Sequence, residues 1–235
     1  MTKMLRRRAV VAAAVATLAV AVALLAASLA LGQSGGNGDP LAAPGFQHFY
    51  NLEYDDALVY FRAEAARNPE SPDVYNHIAQ TVLYREMFRS GALESELVTG
   101  SNPFLRRAGL NPSPADVKEF QDSINRALSI AEARLQKNAN DVGALYAQGV
   151  SYGLRGNYYF LVQKAYRDSL RDATSARKAH ARATELDASL TDARLVQGIY
   201  DYVIGSLPPL WKVLGFLAGF QGDRERGIQT VQQVA

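Results

Sequence analysis

Cysteine is missing altogether from the 235 residues. That excludes disulfides, thiol nucleophiles and Cys-ligated zinc, and it leaves the redox compartment open. Histidine is nearly as scarce. His48, His77 and His180 fall on separate expected helices, and none belongs to an H-E-x-x-H or His-x3-His pair. Each therefore reads as a helix-surface or partly buried residue, and no metal site is expected. No G-x-S-x-G elbow occurs, and the glycines from Gly149 to Gly156 neither follow a strand nor precede a Lys-Ser/Thr pair as a phosphate loop requires. Acidic residues are scattered; Glu94 and Glu96, two apart, point in different directions on a helix. The expectation is a protein with no catalytic residues and no cofactor.

Excess positive charge is also absent from the body of the chain. Met1 to Gly32 holds four of the 25 Lys and Arg and none of the 23 Asp and Glu, so the remainder carries a net charge of −2. Such a domain has no surplus cations to neutralise phosphates, and nucleic acid is not an expected partner.

What is present begins with an export-type leader. Lys3, Arg6, Arg7 and Arg8 are followed by an uncharged run, mostly Ala, Val and Leu, from Ala9 to Leu31, and then by the polar stretch Gly32 to Gly38. Ala30-Leu31-Gly32 offers small residues for cleavage after Gly32. The run is also long enough to stay as an anchor, since about 20 apolar residues span a bilayer. Both readings place the rest outside the cytoplasm, periplasmic or at the outer face of a bacterial inner membrane. The expected organisation is a signal peptide or anchor over 1–32, a flexible linker over 33–40 and a helical domain over 41–235.

From Leu41 onward apolar residues recur three and four apart, with no sustained alternation of period two. Pro and Gly punctuate the pattern, and Ser71-Pro72-Asp73 and Ser113-Pro114-Ala115-Asp116 read as capped helix starts. Three breaks are alike: Asn68 to Tyr75, Asn138 to Leu145 and Asp187 to Arg194. Each is preceded by a small residue, Ala57, Ala127 or Ala176, that lies 18 positions before the large-residue position of the next helix, at Tyr75, Leu145 and Arg194.

These residues resemble the tetratricopeptide repeat pattern. Ala57, Phe61 and Pro69 match its second helix, entered through Tyr54-Asp55-Asp56-Ala57. Tyr75, Ile78, Ala79 and Val82 match a first helix. Leu145, Gly149 and Tyr152 match another, with Gln148 where Leu is usual, and Gly198 continues the series although Arg194 replaces the large apolar residue. Gly222 to Gly227 looks like a further second-helix entry, with Gly227 in place of Ala. Small residues where helices cross allow close packing, and Ala57, Ala79, Gly149 and Gly198 supply them while Phe61 and Tyr152 fill the grooves. The resemblance implies an all-α fold, an α-solenoid of antiparallel helix hairpins with a concave side. One departure is clear. Tyr75 to Ala127 is 52 residues, Leu145 to Ala176 is 31 and Arg194 to Gly227 is 33, all longer than the family's 16. The additions fall inside the hairpins and predict elongated helices, with a true loop from about Gly91 to Pro114.

In the resembled family the concave face is lined by first-helix positions. Here those are Asn76, Gln80 and Leu83, then Tyr146 and Val150, then Leu195, Ile199 and Tyr202. The alternative is that inserted segments of the chain cover them. The face lacks the Lys and Arg cluster with which some family members clamp a peptide carboxylate, so an extended apolar peptide or an amphipathic helix suits it better. A second surface is Ser206 to Phe220, where Leu210, Trp211, Leu214, Phe216, Leu217 and Phe220 surround a helix of about 12 residues, too short to span a bilayer. It reads as a core helix or as a membrane or partner contact. In the connection from Ser90 to Ser113, Arg106-Arg107 is a candidate anion contact, although two exposed arginines are ordinarily just solvated. Ile228, Val231 and Val234 form a stripe on the last helix that needs a partner, either the continuation of a longer chain or a second copy. The leading expectation is an exported scaffold that binds a protein segment in envelope assembly, secretion or maintenance. The alternative is a binder of a small apolar ligand or lipid.

Overall fold

The computed structural model describes residues 43–93, 109–206, 220 and 222–234. The leader and linker lie outside these, as do residues 94–108 of the long connection and Leu210, Trp211, Leu214, Phe216 and Leu217. Every regular element among the described residues is helical. In chain order these are α1 (Pro44–Tyr50), α2 (Tyr54–Arg67), α3 (Pro72–Arg89), α4 (Pro114–Lys137), α5 (Val142–Tyr158), a π-helical turn (Tyr159–Gln163), α6 (Tyr166–Leu186), α7 (Thr191–Gly205) and α8 (Arg224–Val234). None of the described helices is long and apolar enough to cross a membrane.

The three similar breaks become three connections of equal length, residues 68–71, 138–141 and 187–190. Their chemistry is local. Ser113 accepts a hydrogen bond from the Asp116 N–H at 3.1 Å, and Asp141 accepts one from the Ala144 N–H at 3.0 Å, so each caps a helix. Ser71 stands at the N-cap of α3, but its side chain makes no capping bond; Pro72 at the first helical position starts that helix instead. The small residues before the breaks are buried, with Ala57 and Ala127 at 0% and Ala176 at 2% exposure.

Successive helices from α2 to α8 run antiparallel. Tyr54 lies beside Phe88 and Phe61 beside His77 across α2 and α3. Arg85, late in α3, meets Asp116, early in α4, at 2.7 Å. Arg155, late in α5, meets Asp172, early in α6, at 2.6 Å. Arg177 of α6 meets Asp201 of α7 at 3.0 Å, and Gly198 of α7 faces Thr230 and Val231 of α8. Alternate helices also touch, in parallel. Asn76 of α3 bonds the Ala147 carbonyl of α5, and Arg62 of α2 bonds Glu119 of α4. The core follows this layering: Phe61, Leu58, Ile124, Phe120, Leu154 and Phe160 are each at most 2% exposed.

Ion pairs recur where the helices meet. Arg85 bridges Asp55 of α2 and Asp116 of α4, tying three helices. Asp201, at 4% side-chain exposure, lies between Arg177 of α6 and Arg226 of α8, the latter at 2.8 Å. Removing a buried charge partner strands the other charges. Because both arginines keep contact with water, Asp201→Asn is expected to cost about 1.5 kcal/mol. Urea denaturation of that variant checks this, and an unchanged midpoint would show that the bridge contributes nothing.

The inserted residues are handled in three ways. In the α3–α4 hairpin α4 is prolonged to 24 residues, and residues 94–108 between the two helices lie outside the described residues. In the α5–α6 hairpin they prolong the helices: α6 has 21 residues, and α5 runs on through the π-helical turn. A π turn absorbs an extra residue without ending the helix, and Lys164 closes it in the left-handed region at φ 54°. In the last hairpin the expected lengthening of the first helix does not occur. α7 stops after 15 residues at Gly205, where the backbone of Asp223 and Arg224 comes so close that no side chain fits.

Candidate functional site

The expected concave face divides into a closed part and an open part. Asn76 is 2% exposed, and its amide is spent inside the protein. Its Nδ2 donates to the Ala147 carbonyl at 3.0 Å, and its Oδ1 accepts from the Ser151 hydroxyl at 2.7 Å. The Ala147 carbonyl, 2.9 Å from the Ser151 Oγ, shares that single hydroxyl hydrogen. This is a satisfied polar seam joining α3 to α5, and it leaves Asn76 little capacity for a ligand. Gln80, Leu83, Tyr146 and Val150 are likewise buried, at 3%, 2%, 3% and 8%. The expectation that these five residues line an exposed groove therefore does not hold. Leu83, Tyr146 and Val150 belong to the same apolar cluster as Phe46 and Phe49 of α1. Leu195, Ile199 and Tyr202 of α7 are only partly buried, and the Arg224 guanidinium lies 5.9 Å from the centre of the Tyr202 ring.

Ala79 is fully buried, Phe61 is 1% exposed, and Gly149 faces the His180 ring. Pro69 offers its carbonyl to the Tyr75 hydroxyl at 3.2 Å and to Arg126 of α4 at 3.1 Å. Tyr152 is half-buried, with the Arg155 guanidinium 5.2 Å from its ring centre. Phe220 is half-buried.

The histidine expectation holds for two of the three and fails for His180. His48 is half-exposed and His77 is partly buried, in line with the expectation, but His180 is completely buried. His77 packs against Phe46 and Phe61, with ring centres 4.8 and 5.1 Å away. His180 packs against Tyr146 at 5.3 Å and fills the space over Gly149. Its two ring nitrogens and Nδ1 of His77 have no hydrogen-bond partner among the described residues. Burial alone pushes His77 down to about 4 and His180 down to about 3, so both are neutral fillers of an aromatic core at pH 7.

The most perturbed acids lie near the helix starts. Burial pushes the Asp73 carboxyl, in the first turn of α3, up to about 6, against the pull of the Arg134 charge. Burial also raises Asp192, in the first turn of α7. Between them on α5, burial raises the Tyr146 hydroxyl, and the charges of Asp192 and Asp73 raise it further. Tyr50 at the end of α1 is raised by burial and then by Asp192. The arrangement gathers acid and phenol groups from four helices beside the partly open α7 surface. A helix start favours an anion, which is why carboxylates persist there despite desolvation. Its chemistry is hydrogen bonding and attraction for a cationic group. No protein-family model, curated protein or solved structure matches the chain.

Proposed function

We propose that the protein is an exported scaffold of the tetratricopeptide type, a short α-solenoid whose work is to hold a segment of another protein in envelope assembly, secretion or maintenance. The observation that carries the reading is the two-row packing, in which α3 and α5 run parallel in one row and α2 and α4 in the other. Stacked helix pairs of this kind serve as extended binding surfaces. The contact surface under this reading is the partly open face of α7, with Leu195, Ile199 and Tyr202 as apolar contacts and Asp192 as the charged one. A partner helix or extended strand with apolar residues and one basic residue fits that combination. The leader over residues 1–32 carries the chain out of the cytoplasm.

The test is site-specific photocrosslinking in cells, with the reactive residue at Leu195, Ile199 or Tyr202 in turn and at Lys137 as a control. One and the same partner protein at all three α7 positions and none at Lys137 supports the reading. Adducts no different from the control contradict it.

A further inference from the structure

We propose that His48, Glu53 and Asp56 form a binding site for a first-row divalent transition-metal ion of the zinc class, which would brace α1 against α2. Nδ1 of His48 lies 2.6 Å from a carboxylate oxygen of Glu53, and one donor atom from each of the three residues lies within 4.8 Å of the others. Donor atoms around a tetrahedral zinc ion are separated by about 3.4 Å. Small rotations of exposed side chains close that difference.

The backbone holds the three donors in place. His48, Glu53 and Asp56 each immediately precede a buried anchor: Phe49 at 4%, Tyr54 at 4% and Ala57 at 0% exposure. Phe49 and Tyr54 pack edge to face at 5.4 Å. The turn between the helices is fixed as well. The Glu53 N–H donates to the His48 carbonyl at 2.9 Å, with Leu52 in the left-handed region at φ 65°. The anchors thus point inward while the donors share the opposite side of one rigid corner. A site whose donors are already gathered loses little conformational entropy on binding.

The donors are also uncommitted. Glu53 has His48 as its polar side-chain partner, and Asp56 makes no hydrogen bond or ion pair among the described residues. The neighbouring Asp55, by contrast, is held by Arg85 and Arg89. The trio thus sets one imidazole beside two carboxyl groups, neither of them paired with a Lys or Arg among the described residues. One imidazole with two carboxylates suits zinc, manganese, cobalt or nickel, whereas magnesium prefers an all-oxygen, largely hydrated shell. The ion takes the place of the hydrogen between Nδ1 and Glu53, and water completes its coordination. The 48, 53, 56 spacing matches no helical ligand motif because a turn separates the first donor from the other two.

The full chain, stripped with a chelator, is titrated with zinc chloride and in parallel with magnesium chloride by calorimetry. One zinc ion per chain is expected, together with a higher melting temperature. Even an outer-shell partner of a metal is worth about tenfold or more in affinity, so His48→Gln and Asp56→Asn should each weaken binding by at least that factor. Asp56→Asn should shift the metal-free melting temperature only by the small amount that an exposed first-turn charge contributes, which separates loss of the site from loss of the fold. No zinc heat, zinc binding that both variants retain, or an equal response to magnesium would overturn the proposal.

Discussion

Gly149→Leu is expected to destabilise the protein by about 3 kcal/mol, the upper end of what overpacking a core costs. A Cβ at this position would lie 2.6 Å from Nε2 and 2.7 Å from Cδ2 of His180. The ring cannot retreat, because His180 is itself fully buried and bounded by Tyr146. α5 and α6 therefore separate, or the imidazole is driven out of its place. Gly153, one turn further along the same helix, is the internal control: a Cβ there meets nothing within 4 Å. Gly153→Ala is expected to stabilise by up to about 1 kcal/mol, the ordinary gain from removing a glycine inside a helix. Urea denaturation of the two variants measures both effects. Equal effects at the two positions would mean that α5 and α6 do not cross at Gly149.

Acid is expected to weaken the fold for a reason located in two side chains. His77 and His180 have folded-state values of about 4 and about 3, below the ordinary imidazole value of 6.5. A group with a depressed folded value contributes stability that is fully present above its unfolded value and is lost as pH falls toward the folded one. Between pH 7 and pH 5 each histidine therefore removes about 2 kcal/mol. Asp73 acts in the opposite sense. Its folded value of about 6 lies above the ordinary 3.8, so its ionisation costs stability at pH 7 and that cost is relieved as pH falls. The relief over the same interval is about 1.4 kcal/mol. The net expectation is a loss of about 2 to 3 kcal/mol on going from pH 7 to pH 5. In the double variant His77→Phe, His180→Leu the carboxyls that burial raises, Asp73 foremost with Asp192 and Glu86, remain, and the sign reverses, so the variant becomes slightly more stable at pH 5 than at pH 7. Urea midpoints at the two pH values decide it, and a double variant with the wild-type slope would place the acid sensitivity elsewhere.

The phase between Ala57 and Tyr75, repeated twice, depends on local helix geometry and small-residue crossings, so it survives in the structure as three connections of equal length. Pro72 and Pro114 mark helix starts because proline fixes the backbone of the first turn. Burial across the stack is a different matter. Asn76 reads as a surface amide, and only the parallel contact between α3 and α5 brings it to Ala147 and Ser151, more than 70 positions away. His180 reads as an isolated polar residue until Gly149 is seen beneath its ring. The third addition predicts a longer first helix because residue counts do not show where a helix ends; α7 ends at Gly205, where the backbone of Asp223 and Arg224 comes close. The His48, Glu53, Asp56 corner escaped for the same reason, since its donors converge only through the turn at Leu52.

The most direct test of the account is the neighbour order of the helices, and the absence of cysteine from the chain makes it clean. Pairs of cysteines are introduced into the full chain and treated with a short bismaleimide. Arg62→Cys with Glu119→Cys joins α2 to α4, and Asn140→Cys with Arg182→Cys joins the α4–α5 turn to α6; both pairs are in contact through their native side chains. Arg62→Cys with Arg182→Cys joins positions that the stacking order separates. The account predicts rapid crosslinking within the chain for the first two pairs and little for the third. Crosslinking of the third pair as fast as the first two, or of none, would contradict the stacked order of helices on which the proposed scaffold rests.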